Sequence, residues 1–132
     1  MVIARALVEE IVQHAREGLP NECCGIVSTN DGSAVQVYRA RNAHESPLRF
    51  EIDPRDLIRI YSEVERAGHE FGSMYHSHVQ SPAYPSQTDV NFAQDWPGLV
   101  WLIVSLADAD APELRAFRIT GPDIEEVELT IE

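Results

Sequence analysis

Apolar residues recur at helical spacing near the start of the chain. Within residues 5–17 they lie three or four positions apart on one stripe, formed by Leu7, Val8, Ile11, Val12 and Ala15. This spacing predicts an amphipathic helix, and Gly18 and Pro20 predict its end.

A second helix is predicted for residues 53–68. Asp53 is suited to the N-cap, Pro54 to the first helical position and Gly68 to the end. One side of this helix is apolar, with Leu57, Ile60, Tyr61 and Val64. A shorter helix is predicted for residues 86–95.

The other apolar segments have the length of strands. The turn sequence Asn-Asp-Gly at residues 30–32 tolerates positive φ and predicts a hairpin between the first two strands. Residues 98–107 are almost all apolar, which indicates a strand buried on both faces. Residues 41–52 predict a loop leading into a short strand. The predicted strands are residues 23–29, 33–40, 71–79, 98–107, 113–120 and 124–132.

The order of these elements indicates a fold class. It runs helix, hairpin, short strand, helix, strand, helix and three strands, without a repeat or a linker. We predict one α+β domain over residues 1–132, with a mixed, largely antiparallel curved sheet flanked by helices.

Composition and charge narrow the classes of function. The chain has 132 residues and a net charge of −12, which argues against a nucleic-acid-binding surface. We interpret the acidity as self-repulsion that keeps the protein in solution, and adaptation to a salty cytosol is the alternative. No apolar run approaches the roughly 18 residues of a membrane span. The first residues lack the features of a signal peptide, so we expect a cytoplasmic protein that does not contact a membrane.

The cysteines argue against a disulfide framework. Only Cys23 and Cys24 occur, and neighbouring residues on a strand point to opposite faces. With no third cysteine there is no Cys-x-x-Cys zinc site either. We expect both thiols to be buried apolar groups in a reducing compartment.

Two histidines lie one residue apart in the predicted strand 71–79. Alternate side chains leave a strand on the same face, so His76 and His78 point to one side and Ser77 to the other. Their imidazoles can converge on one zinc ion, with Asp89 as the candidate third ligand. Two histidines and one carboxylate leave a fourth position open, which is typical of catalytic rather than structural zinc.

Two more residues are candidates for the chemistry. A water activated by zinc needs a base within reach, and Glu22, between the first helix and the first strand, is the candidate. Ser86 is a candidate donor to an oxyanion. Simpler interpretations exist, with Glu22 as a solvated loop carboxylate and Ser86-x-x-Asp89 as a helix capping box. The remaining histidines are expected to be surface residues: His14, His44 and His69.

Together these residues form one pattern. The string His76-x-His78, seven residues, then Ser86-x-x-Asp89, with a glutamate far upstream, resembles the signature of the JAMM (MPN-plus) zinc metalloprotease family. The leading helix, the NECCG segment, the histidine strand and the following helix also occur in that family's order. One departure is Val79, because many members have proline directly after the second histidine.

The resemblance implies a cytidine-deaminase-like fold and a Zn²⁺ site formed by His76, His78 and Asp89. It also implies that Glu22 is the acid/base and that Ser86 steadies the oxyanion. The chain is similar to small bacterial members, some of which remove an amino acid, notably cysteine, from the C-terminus of a ubiquitin-like sulfur-carrier protein. We therefore expect such a carrier, or its amino-acid adduct, as the partner, with its tail extended in a groove beside a strand.

Two classes of function follow from the pattern. The first is a zinc-dependent peptidase or isopeptidase acting after the tail of a sulfur carrier. The second is a non-catalytic MPN-type interaction scaffold, whose members have typically lost one or more ligands. All three ligands and the glutamate are present here, which favours the enzyme. A zinc deaminase and a His-Glu-x-x-His protease are excluded, because neither of their motifs occurs.

Overall fold

Eight strands and three helices follow one another along the chain. The computed structural model describes residues 1–132. The helices are α1 (Arg5–Gly18), α2 (Pro54–Arg66) and α3 (Gln87–Ala93). The strands are β1 (Val2–Ile3), β2 (Cys24–Asn30), β3 (Ser33–Ala40), β4 (Glu70–His78), β5 (Val100–Ser105), β6 (Glu113–Thr120), β7 (Asp123–Val127) and β8 (Thr130–Ile131).

The ends of α2 follow from residues that the sequence singled out. The side chain of Asp53 accepts a hydrogen bond from the Arg55 N–H at 2.9 Å, so the first turn is capped. Pro54 occupies the first helical position, where no backbone donor is needed. Gly68 has a φ of 74°, a backbone conformation that glycine adopts without strain, and the chain leaves the helix there.

All eight strands belong to one sheet, in the order β7-β6-β5-β4-β2-β3-β1-β8. The β2–β3, β2–β4, β5–β6 and β6–β7 pairs are antiparallel, whereas β4–β5, β1–β3 and β1–β8 are parallel. Only residues 128 and 129 connect β7 to β8, although these strands are the two edges of the sheet. The sheet is therefore strongly curled, and the predicted mixed α+β fold is confirmed.

Apolar side chains fill both faces of the sheet. Ile11 and Ala15 of α1 pack on one face, together with Tyr75 of β4. Ile60 and Val64 of α2 pack on the other, together with Met74. Because side chains alternate along β4, His76 and His78 lie on the same face as Met74 and thus on the side of α2 and α3.

Some local expectations were wrong. Residues 41–52 form no strand, only a single bridge between Asn42 and Ile52. The predicted strand 124–132 is divided into β7 and β8, and β1 was not predicted at all. Tyr61 of α2 is exposed rather than buried with its apolar neighbours.

None of the helices combines the length and the apolar character that a membrane crossing requires.

Candidate metal centre

Three ligand-type side chains converge where β4 ends and α3 begins. His76 Nε2 lies 3.1 Å from one carboxylate oxygen of Asp89, and His78 Nε2 lies 3.0 Å from the other. The two imidazole nitrogens are 3.2 Å apart. All three side chains are buried, and all three nitrogen or oxygen atoms can share one metal ion.

The first turn of α3 orients Asp89. Ser86 is the N-cap, and its hydroxyl accepts a hydrogen bond from the Asp89 N–H at 3.1 Å. In return the Asp89 carboxylate accepts from the Ser86 N–H at 2.9 Å, which completes a capping box. The capping box and the metal-binding geometry are therefore features of the same residues, and the two interpretations of this sequence are compatible.

Each histidine is oriented by a different contact. His78 Nδ1 lies 2.9 Å from the Pro82 carbonyl oxygen, which can only accept a hydrogen bond, so Nδ1 carries a proton and Nε2 is the nitrogen left to bind a metal ion. The ring of His76 stacks on Phe50, with centroids 4.3 Å apart and planes 19° apart. These contacts fix both rings before any ion binds.

Neighbouring groups shift the pKa values of Asp89 and His78. Burial opposes ionisation of Asp89, but His76, His78 and the Ser86 N–H hold the pKa of its carboxyl well below the usual range. Burial also opposes protonation of His78, yet the Asp89 carboxylate and the Pro82 carbonyl raise the pKa of its imidazole. The centre thus retains a carboxylate, the form that binds cations.

Glu22 lies beside this centre, two residues before β2 begins. Cys24 pairs with His76 in the antiparallel β2–β4 ladder, so Glu22 comes opposite His78. Its side chain is 5% exposed, and its buried Oε1 has no hydrogen-bond partner. Burial raises the pKa of Glu22 to about 8, with His78 lowering it and Asp89 raising it further. This carboxyl group can take up and release a proton near neutral pH.

A cleft of about 680 Å³ opens over Glu22 and His78. The other residues that line it are all uncharged: Pro20, Pro47, Leu48, Val79, Gln80, Ser81 and Ser86. A substrate in this cleft has direct access to the candidate base and to the edge of the metal centre.

All five candidate residues from the sequence come together: Glu22, His76, His78, Ser86 and Asp89. Ser77 lies on the other face, as expected, and its hydroxyl accepts a hydrogen bond from the Cys23 N–H at 2.8 Å. The two cysteines are buried free thiols, as expected. His14 and His69 differ from expectation, because both are half-buried. His14 Nδ1 lies 2.7 Å from the Tyr75 hydroxyl.

Other residues at the site were missed from the sequence. Phe50, Leu48 and Asn42 all belong to the segment 41–52, which has no hydrophobic periodicity. One local signal was available, since asparagine favours turns in which its side chain binds nearby backbone groups.

The buried Glu22 carboxyl group is expected to lower the stability of the metal-free protein at alkaline pH. Since its pKa is about 8 in the fold and near the ordinary 4.5 when unfolded, the folded state holds the proton more tightly. Stability is therefore lost as pH rises from about 4.5 to 8. Glu22→Gln removes this loss and should raise the free energy of unfolding at pH 8.5 by roughly 1–3 kcal/mol.

Urea unfolding of both proteins in a chelator buffer measures this difference. At pH 4 the variant and the wild type should be equally stable, because Glu22 is protonated in both states of the wild type. A variant that gains nothing at pH 8.5 contradicts the raised pKa of Glu22.

Comparison with known proteins identifies the family. Residues 4–120 match the family described as prokaryotic homologs of the JAB domain. The chain belongs to this family, and the resemblance to the JAMM and MPN proteins is confirmed.

Particular relatives support the same conclusion. The chain is 34% identical to the CysO-cysteine peptidase of Mycobacterium tuberculosis, over 96% of this chain and 87% of that protein. It is 34% identical to a desampylase of Haloferax volcanii, over 94% of this chain and 91% of that protein. The crystal structure of a JAB1/MPN domain protein from Archaeoglobus fulgidus superposes with a TM-score of 0.66 at 22% identity, covering 99% of this chain and 98% of the other, which shows the shared fold.

Proposed function

We propose that this protein is a zinc-dependent peptidase of the JAMM type, which hydrolyses the amide bond after the C-terminal tail of a ubiquitin-like sulfur-carrier protein. The observation that carries the proposal is the convergence of His76, His78 and Asp89 beside Glu22 on one open cleft. In a non-catalytic scaffold, a buried carboxyl group that lacks a hydrogen-bond partner would cost stability without serving a function. Beside three metal ligands, such a group fits a catalytic acid or base.

The spacing of the three ligands fits zinc. Ligands about 2.0–2.1 Å from a tetrahedral ion lie about 3.3–3.4 Å from one another. The separations here are 3.0–3.2 Å, so the donors need only a small outward shift. Two imidazoles and a carboxylate also form the donor set of catalytic zinc, which leaves one position for water.

The residues around the ion have separate roles in hydrolysis. Bound zinc supplies a Lewis acid that makes water more acidic and polarises the substrate carbonyl. The Glu22 carboxylate accepts a proton from the attacking water and then donates it to the departing amine. The Ser86 hydroxyl oxygen accepts a hydrogen bond from the Asp89 N–H, so the hydroxyl proton is free to donate to the oxyanion.

The cleft suits the extended tail of a small carrier protein. Its uncharged walls suit a tail without side-chain charges, such as a Gly-Gly terminus. Relatives named for a cysteine peptidase and for a desampylase suggest two leaving groups, a single amino acid and the amine of another protein.

The proposal takes residues 1–132 as one domain that works in the cytoplasm. Both cysteines are free and buried, which suits a reducing compartment. The three ligands His76, His78 and Asp89 all come from this one domain.

Mass spectrometry of defined substrates tests the proposal. The zinc-loaded protein is incubated with a ubiquitin-like sulfur carrier extended by cysteine after Gly-Gly, and with the same carrier joined to a lysine side chain. We expect cleavage directly after the second glycine, loss of activity with a chelator and recovery with added zinc. A protein that binds zinc but cleaves neither substrate overturns the proposal and favours the scaffold.

Ser86→Ala separates the catalytic role of this residue from its role as a cap. We expect turnover to fall by about 10²–10³, the usual loss for one oxyanion donor. Loss of the cap alone should cost only about 1 kcal/mol of stability. Ser86→Thr retains the hydroxyl and the cap and serves as the control. An unchanged kcat in a destabilised Ser86→Ala variant assigns Ser86 to capping alone.

A further inference from the structure

One wall of the cleft is an irregular segment, residues 43–51, which we name the cleft loop. It contributes Pro47 and Leu48 to the lining. Leu48 is 82% exposed, more than any other large apolar side chain in the protein, and it lines the cleft next to Glu22. An apolar group held in water at the edge of a site is available to contact a substrate.

The side chain of Asn42 holds this loop in place. Its Nδ2 donates to the carbonyl oxygens of Glu22 and Arg49, both at 3.1 Å. Its Oδ1 accepts from the N–H groups of His44 at 3.0 Å and Glu51 at 3.2 Å. Every hydrogen-bonding position of this buried amide is occupied by backbone, and the partners fix which atom is nitrogen and which is oxygen.

The loop is also tied directly to the site. The Glu22 N–H donates to the Ser46 carbonyl at 2.9 Å. Phe50, near the other end of the loop, stacks on the ring of His76. Asn42 therefore joins both ends of the loop to Glu22, while Leu48 lines the cleft.

We propose that Asn42 is a positioning residue that holds the cleft loop as a preformed wall, so that Leu48 contacts the substrate tail beside the bond that is cleaved. The proposal rests on the function proposed above, and it adds a determinant of substrate binding outside the residues of the metal centre. A wall that is already ordered binds substrate without first losing the freedom of an open loop.

Limited trypsin digestion of the metal-free protein tests the hold of Asn42 on the loop. The Arg49–Phe50 bond lies within the loop and is protected while Phe50 is buried against His76. We expect Asn42→Ala to be cut there at least about tenfold faster than the wild type, because local opening governs cleavage. The control Asn30→Ala removes an exposed asparagine at the opposite end of β2 and should be cut at the wild-type rate. Equal rates for Asn42→Ala and the wild type overturn the proposal.

Steady-state kinetics with the carrier–cysteine substrate test the contact of Leu48. Leu48→Ala should raise KM about five- to tenfold with little change in kcat, because an apolar contact made in the ground state is lost. This exposed residue should not alter the melting temperature, so the test does not depend on how well Asn42→Ala folds. An unchanged KM overturns the role of Leu48.

The double variant tests whether Asn42 acts through Leu48. Asn42→Ala alone should raise KM about tenfold, whereas in the Leu48→Ala background it should raise KM less than about threefold. A loss of stability alone does not produce this non-additivity at temperatures well below unfolding, and fully multiplicative effects overturn the proposal. If the wild-type protein hydrolyses no substrate, the proposed function fails, whereas the trypsin result still decides whether Asn42 holds the loop.

Discussion

His78→Ala is expected to leave the protein without bound zinc and without hydrolytic activity. His78 is one of only three side chains that can share the ion, and its Nε2 is held toward the centre by the Pro82 carbonyl. Losing one of three protein ligands should weaken zinc binding by on the order of 10³ or more. Hydrolysis should fall to the uncatalysed background, because the activation of water is lost with the ion.

His78 is the better of the two histidines to remove. His78 lines the open cleft, so its truncation widens a space that already admits water. His76 is completely buried under Phe50, and its truncation leaves a cavity with its own cost in stability. His69→Ala removes a histidine directly before β4, at the opposite end of that strand from His78, and is the matched control.

Zinc content after dialysis, measured by atomic absorption, decides this prediction. The wild type and His69→Ala should hold one equivalent, as a single three-ligand centre requires. Stoichiometric zinc in both His78→Ala and His76→Ala contradicts the assignment of the ligands, whatever happens to activity.

The elements with strong periodicity could be predicted from the sequence. β6 was predicted at Glu113–Thr120, and α2 was predicted from its cap and its first proline. In these segments local preference and tertiary packing agree. By contrast, β1 and β8 have two residues each, and they are strands only because the curled sheet brings its edges together. A pairing between opposite ends of the chain leaves no local pattern.

The metal ligands of the candidate site could also be predicted from the sequence, whereas its other contacts could not. The ligand spacing depends on a strand and a helix cap, both of which are local features that appear in His76-x-His78 and Ser86-x-x-Asp89. Glu22 was a candidate from its place between the first helix and the first strand, and the resemblance to a family added its role. Its approach to His78 arises from the pairing of β2 with β4, which leaves no local pattern. Phe50 was missed because its contact lies across an irregular loop, where the residue type predicts no partner. The turn preference of Asn42 indicates nearby backbone partners but not its bond to the Glu22 carbonyl.

Glu22→Gln is expected to retain zinc and to lose nearly all hydrolysis. Glutamine has the size and shape of glutamate, so the cleft and the three ligands remain intact. It cannot accept a proton, and loss of the general base should lower kcat by about 10³–10⁴ with little change in KM. Glu9→Gln, on the exposed side of α1 behind the sheet, makes the same chemical change away from the cleft and should be fully active.

The expected effects of Glu22→Gln on hydrolysis and on stability together identify the cause of its inactivity. The substitution should stabilise the metal-free fold at alkaline pH, because it removes the ionisation of a buried carboxyl group. An inactive variant that is more stable than the wild type and still holds zinc cannot owe its inactivity to unfolding or to loss of the ion. The missing function is then proton transfer, measured as kcat on the carrier–cysteine substrate. Wild-type kcat in a zinc-loaded Glu22→Gln protein removes Glu22 from the reaction and requires another base at the cleft.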